Sequence, residues 1–355
     1  MSGSTFGKAF QITTFGESHG RGTGVVIQGC PPGISIDEAF IQKHLDRRKP
    51  GSGTAGTKRK EPDRPVIISG VFNGRTTGTP LMIFIENKDA KSKSYESIAR
   101  LFRPGHGDFT YQARYGTRDY RGGGRASARE TAARVAAGAV AQAVLDDHDI
   151  KIISFTLELG GIRAEQTEDL SFRDQNDLQC PDMQAAAEMA SRIRAVKKQG
   201  DSLGGIVEIR AENVPPGLGD PVFDKLDADI AKGLMSIGAV KAVEIGAGIK
   251  APEMTGFENN DQISPSGFLT NNAGGILAGI SNGDEIVARV HVKPIPSISK
   301  VQQTIDEDGR PCEISTKGRH DISAIPRINK VCEAMTAIVL ADHLLRKRTL
   351  GPGQT

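Results

Sequence analysis

Arg103-Pro104-Gly105-His106-Gly107-Asp108, followed by Asp119-Tyr120-Arg121-Gly122-Gly123-Gly124-Arg125-Ala126-Ser127-Ala128-Arg129-Glu130-Thr131-Ala132, puts loop, turn, helix cap and helix into one continuous run. Glycine has no side chain and takes positive φ freely, so Gly122 to Gly124 are expected to form a tight turn that another group can approach closely. Ser127 and Glu130 stand at capping-box spacing, with the hydroxyl accepting from the third amide and the carboxylate accepting from the cap amide. The helix that follows is expected to run to about Leu145. Alanine is the strongest helix former, and Ala132, Ala136, Gly138, Ala139 and Ala143 let neighbours pack close, which implies burial on more than one side.

A helix start carries unpaired N–H groups and the positive end of the macrodipole, and here it is ringed by Arg121, Arg125, Arg129 and Arg134. That combination predicts a phosphate- or carboxylate-binding site. His19, within Gly16-Glu17-Ser18-His19-Gly20-Arg21-Gly22, and His106 both lie on glycine-flanked loops beside an acid and an arginine, where an imidazole can exchange protons with a ligand. His320 sits between Arg319 and Asp321. His44, His148 and His343 fall on or beside expected helices and are given no role.

Outward from this stretch, strand signals occur at Phe10 to Thr14, Gly24 to Gln28, Val66 to Val71, Leu81 to Glu86, Lys151 to Leu159, Gly205 to Val214, Lys241 to Ile245 and Ile286 to Val292. Helices are expected after Asp37 to about Arg48, from Pro181 and Asp182 to about Lys198, from about Pro221 to Ile237, and from Pro326 to Arg348. Residues from about 47 to 64 form a polar basic run read as a mobile loop, and Gly246 to Asn272 reads as a long irregular connection. A flexible tail is expected after about residue 347. Strands follow one another as often as they alternate with helices, so an α+β fold is favoured over a doubly wound parallel sheet. No composition break marks a domain boundary.

The 355 residues suffice for a substantial core, and 45 basic against 43 acidic residues leave a net charge of +2, which argues against a nucleic-acid or membrane-surface binder. Cys30, Cys180, Cys312 and Cys332 are scattered without a Cys-x-x-Cys pair, so neither zinc nor disulfides are expected and a reducing cytoplasm fits. No apolar run approaches the roughly 18 residues of a membrane span, and the first residues lack the apolar core of an export signal. Gly51-Ser52-Gly53-Thr54-Ala55-Gly56 matches the dinucleotide fingerprint by letter but has neither a strand before it nor a helix after it. No His, Asp or Glu cluster suggests a metal, and no nucleophile stands beside a base.

From about Phe6 to Arg346 the chain resembles the chorismate synthases. The resemblance is carried by Gly16-Glu17-Ser18-His19-Gly20, Arg103 to Asp108, Asp119 to Ala132 and Lys317-Gly318-Arg319-His320-Asp321. It implies one large α+β domain covering the whole chain, with helices sandwiched between antiparallel β-sheets, assembled as a homotetramer. It also implies 1,4-elimination of phosphate and a ring proton from 5-enolpyruvylshikimate 3-phosphate, dependent on reduced FMN without net redox change, with NADPH a candidate reductant. His19 would protonate the departing phosphate, His106 the reduced flavin, and Asp321 would assist proton movement. Arg48, Thr54, Arg103 and Arg129 would hold substrate or pyridine-nucleotide anions, with Arg319 beside them. Flavin contacts would come from Arg125, Ala126, Ser127, Gly238, Ala239, Ala278, Lys293, Pro294, Ile295, Pro296, Ser297 and Arg319.

Thr54 stands where many members carry an arginine, Gly107 replaces a common alanine, and Ile322-Ser323 replaces proline and cysteine. Lys58 and Arg59 are candidates to compensate for the first change. The competing readings are a flavin oxidoreductase acting on a polyanion, separated by net redox change, and an RNA-binding protein, disfavoured by sparse aromatics.

Overall fold

The computed structural model describes residues 3–49, 53, 55–56, 61–88, 92–316 and 321–350. The first half contains β1 (Thr5–Phe6), β2 (Gln11–Gly16), β3 (Gly22–Gln28), α1 (Glu38–Arg48), β4 (Pro65–Ser69), a small hairpin of β5 (Val71–Phe72) and β6 (Arg75–Thr76), β7 (Leu81–Glu86), α2 (Asp108–Tyr115) and α3 (Thr131–Asp146). Next come β8 (Lys151–Leu159), β9 (Ile162–Arg163), α4 (Met183–Lys198), β10 (Gly205–Glu212), α5 (Leu226–Met235), β11 (Val240–Ile245) and α6 (Gly256–Asn259). The chain then forms two hairpins, β12 (Ile263–Ser264) with β13 (Gly267–Phe268) and β14 (Ile276–Leu277) with β15 (Ile280–Ser281). It closes with β16 (Ile286–Val292), a hairpin of β17 (Gln302–Ile305) and β18 (Pro311–Ile314), and α7 (Ile325–Leu350).

Two antiparallel sheets enclose the helices, one ordered β1-β2-β3-β7-β4 and the other β11-β16-β10-β8-β9. Strand alternation sets the inward faces: Leu81, Ile83 and Ile85 of β7 and Ile286, Ala288, Val290 and Val292 of β16 are buried, while the residues between them are not. Between the sheets, α3 packs on β2, β3 and β7, α7 packs on β8 and β10, and α1 touches both helices. The α+β sandwich expected from the resemblance is therefore present.

The contact between α3 and α7 explains the small residues. A Cβ added at Gly138 would lie 2.4 Å from the Cβ and 2.5 Å from the Cα of Ala334, so the two helices meet almost backbone to backbone. Ile41 and Leu45 of α1 and Val140 and Leu145 of α3 are fully buried, each stabilising the fold by roughly 1.5–3 kcal/mol.

Three local expectations change. The Ser127 hydroxyl accepts from the Arg129 amide at 3.3 Å, but Glu130 does not return to the cap, because its carboxylate accepts from Arg134 Nε at 2.9 Å and from the Thr14 hydroxyl at 3.2 Å. A capping box does form on α6, between Thr255 and Glu258. The helix expected from Pro221 shortens to α5, because the Asp220 amide donates to the Asp224 carbonyl at 3.1 Å and holds that segment in a turn. The connection from 246 to 272 holds α6, the β12–β13 hairpin and a 3₁₀ turn at Gly248–Glu253. Much of the basic run at 47–64 and the end of the tail lie outside the described residues. Among the described residues no helix is long and apolar enough to cross a membrane.

Candidate functional site

A cleft of about 1930 Å³ opens at the start of α3, bounded by the loops before α2 and α3, the turn before β11, the segment after β16 and the start of α7. It gathers many of the residues singled out in the sequence. His106 and Asp321 line it, as do Arg48, Arg103, Arg125, Ala126, Ser127, Arg129, Gly238, Ala239, Lys293, Ile295, Pro296 and Ser297. His19, Ala278 and Pro294 are not among the lining residues, and Ala278 stands at the turn between β14 and β15 with φ +51°. Thr54, Lys58, Arg59, Arg319 and His320 lie outside the described residues.

The glycine turn sets both histidines. Gly122, Gly123 and Gly124 all have positive φ, at 64°, 85° and 53°. A Cβ on Gly122 would lie 2.3 Å from His19 Cε1, and one on Gly123 would lie 2.7 Å from His106 Cε1 and 2.9 Å from its Nε2. The two imidazoles thus rest against successive residues of one turn. His19 is further held by the Ser18 hydroxyl, 3.1 Å from its Nδ1, and by the edge of Tyr95, whose ring centroid is 5.4 Å away.

His106 is fixed by a group that the sequence reading quoted without assigning. Its Nδ1 is 3.0 Å from Asp108 Oδ1, while Arg103 donates to the same carboxylate from Nε at 2.7 Å and from Nη2 at 2.8 Å. Arg103 Nη2 also lies 3.1 Å from Nδ1, but an arginine can only donate and a carboxylate can only accept, so the arrangement in which Asp108 accepts from both partners has Nδ1–H donating to Asp108 and Nε2 turned towards Gly123. Asp108, the first residue of α2, is buried, which by itself raises a carboxyl pKa, but hydrogen bonds from Arg103 and His106 outweigh burial and hold it well below the usual carboxylate range.

The arginines around the start of α3 are mostly tied to the protein. Arg121 pairs with Asp119, Arg125 donates to Thr14 Oγ1 at 2.8 Å and to the Gly16 carbonyl at 3.1 Å, and Arg134 donates to Glu130 and Ser236. Arg129 bonds Asp63 from Nη1, Asn87 Oδ1 from Nε at 2.8 Å and the Glu86 carbonyl from Nη2 at 3.3 Å. Arg327 donates to Asp321 Oδ2 at 2.7 Å. The Nε atoms of Arg48, Arg118 and Arg327, by contrast, are buried with no hydrogen-bond partner among the described residues. Lys293 donates to the Gly105 carbonyl at 2.5 Å, and its pKa is lowered first by burial and then by Lys241.

The cleft is large and lined by several arginines, which suits more than one anionic ligand. Its volume exceeds the usual 300–1,000 Å³ of a single small-ligand pocket. Gly238 leaves open space, since an added Cβ there would meet no atom within 4 Å. The three orphaned guanidinium N–H groups, on Arg48, Arg118 and Arg327, all belong to cleft-lining residues. A second cavity of about 320 Å³, lined by His44, Arg47, Lys330 and Glu333, contains none of the expected site residues.

Asp63, Asp108 and Arg327 were not identified from the sequence. Asp108 had a local signal, lying two residues from His106 in a stretch already singled out; Asp63 had only an unusual Pro62-Asp63-Arg64-Pro65 setting.

The sequence profile of the family described as chorismate synthase matches residues 10–345. The chain is 66% identical over 351 residues to a chorismate synthase of Desulfosudis oleivorans, covering 99% of each. It is 58% identical over 354 residues to a chorismate synthase of Nitratidesulfovibrio vulgaris strain Hildenborough, covering 100% of each. A crystal structure of chorismate synthase superposes with a TM-score of 0.76 at 35% identity, covering 96% of this chain and 93% of the other.

Proposed function

The chain belongs to the chorismate synthase family and is a carbon–oxygen lyase of the shikimate pathway, and from that membership we propose that the arginine-lined cleft is where phosphate leaves 5-enolpyruvylshikimate 3-phosphate. The reaction is a 1,4-elimination in which the allylic C–O bond breaks, a ring C–H bond breaks, and a conjugated diene forms. Its difficulty is that the C–O bond is unactivated and the ring proton is not acidic.

His19 donates the proton that accompanies the departing phosphate, with Ser18 and Tyr95 fixing its ring. His106, its Nδ1 proton held by Asp108, presents Nε2 to the cleft as the second proton-exchanging group. Asp321 moves the proton that comes off the ring, its charge supported by Arg327. Arg48, Arg103 and Arg129 form the cationic wall that attracts phosphate and carboxylates. Arg125, Ala126, Ser127, Gly238, Ala239, Lys293, Ile295, Pro296 and Ser297 would hold FMN, Arg125 and Lys293 supplying positive charge for its phosphate. In its reduced form FMN supplies electron density that acid–base side chains cannot, and its redox state is unchanged over the whole reaction.

The observation that carries this reading is that His106, Asp321 and the arginine wall face one cleft large enough for two ligands, with His19 packed against its glycine turn. The test is anaerobic turnover with a limiting amount of reduced FMN, following phosphate, diene absorbance and the flavin spectrum together. Many products per reduced flavin are expected. One oxidised flavin per product would instead identify an oxidoreductase. Supplying NADPH as sole reductant for oxidised FMN tests whether the protein reduces its own flavin, and native mass measurement tests the expected homotetramer.

A further inference from the structure

We propose that Asp63 is a positioning residue that fuses Arg48 and Arg129 into one preassembled anion receptor at the cleft wall. This rests on the reading of that cleft as the substrate site. Asp63 is 1% exposed, and its two carboxylate oxygens are divided between two guanidinium groups: Oδ2 accepts from Arg48 Nη2 at 2.8 Å, and Oδ1 accepts from Arg129 Nη1. Its backbone has φ +46°, in the left-handed region that a non-glycine residue seldom occupies. Asp63 lies immediately after Pro62 and two residues before β4, among the residues that line the cleft.

The donor inventory divides the labour between the two arginines. Arg129 spends its hydrogen bonds on Asp63, Asn87 and the Glu86 carbonyl, so it serves as a fixed backing charge. Arg48 is anchored by Asp63 and by the Thr131 hydroxyl, which accepts from Nη1 at 3.2 Å, yet its buried Nε has no partner among the described residues. Two guanidinium groups this close repel each other; one carboxylate between them removes most of that repulsion and still leaves the cluster with one net positive charge. A receptor held this way loses little freedom when an anion arrives. The pKa directions agree: burial raises that of Asp63, but Arg48 and Arg129 outweigh it and hold it low, while burial brings Arg48 down to about 10, leaving it cationic at neutral pH.

The experiment compares kcat and KM for 5-enolpyruvylshikimate 3-phosphate, with inhibition by inorganic phosphate as a second readout, in wild type, Asp63→Asn, Asp63→Glu and Arg48→Gln. Asp63→Asn is expected to raise KM and the phosphate inhibition constant together by about tenfold or more, the weight of one charge-assisted hydrogen bond, while kcat falls by less. Asp63→Glu, which restores the charge, is expected to recover part of the loss. Should Asp63→Asn not fold, Asp63→Ser, which also lacks the charge, takes its place: a raised KM at folded-state thermal stability supports the proposal, and a wild-type KM overturns it. A lowered KM in Asp63→Asn also overturns it, since Asp63 would then compete with substrate for the same donors. Raised KM in Arg48→Gln with wild-type KM in folded Asp63→Asn removes the role of Asp63 and leaves the cleft reading standing. Wild-type KM in Arg48→Gln removes the cleft reading itself.

Discussion

His19 and His106 are held by different means, and that difference predicts different sensitivities. Replacing either with alanine removes a proton-exchanging group and is expected to cut turnover by roughly 10²- to 10⁴-fold with circular dichroism and melting temperature retained. Wild-type turnover in both variants would remove their assigned roles. Asp108→Asn keeps the volume but exchanges an obligatory acceptor for an amide that can also donate, so His106 loses the partner that fixes its Nδ1 proton. Turnover is expected to fall by about tenfold or more, and a value within twofold of wild type would mean that Arg103 alone orients the ring. These histidines were legible in the sequence because glycine, acid and arginine neighbours advertise an exposed, charged loop. Asp63 was not, because its partners Arg48 and Arg129 lie 15 and 66 residues away and only folding brings them together.

Among elements, α3 and the inward-facing strands were the easiest to read, since an alanine-rich run and strict alternation each fix a period. Helix α2 escaped notice because Asp108 is its one buried residue, so it has no apolar stripe to betray it. The β17–β18 hairpin is largely polar and half-exposed, which leaves no alternation to find. The capping box failed for a tertiary reason, as Arg134 and Thr14 offered Glu130 better partners than the cap amide. Gly138→Ala tests the closest helix contact. Helix propensity favours alanine there by about 1 kcal/mol, but overpacking costs about 1–3 kcal/mol, and the obstructing Cα of Ala334 cannot rotate away. A net loss of up to about 2 kcal/mol is expected by urea unfolding; an unchanged midpoint would show that α3 and α7 separate freely.

For the molecule as a whole, acid should destabilise the fold partly through the cleft. Asp63 and Asp108 both have pKa values below the ordinary carboxylate range in the folded state, so the stability they contribute is complete above that range, near pH 4 and higher. It is lost as pH falls through their depressed native values, because the unfolded chain binds those protons more readily. Unfolding free energy is therefore expected to drop as pH falls below about 4, with a shallower acid slope in Asp108→Asn. Equal slopes in the two proteins would show that Asp108 gains no stability from its partners. The α+β class was foreseeable from strand and helix order and the sandwich only from the family resemblance, whereas the cleft depends on loops from distant parts of the chain converging at one helix start.

The turn at Gly122 and Gly123 works as a ruler. The footprints of the two imidazoles on it are one peptide unit apart, about 3.8 Å from Cα to Cα, a length that covalent geometry fixes and no rotamer can stretch. Each ring occupies the space that a side chain at its glycine would need, and a methyl group at either position would displace the imidazole packed there. Remodelling this cleft for a longer or shorter substrate would have to begin with the backbone of that turn, because repacking the side chains around it leaves the ruler unchanged.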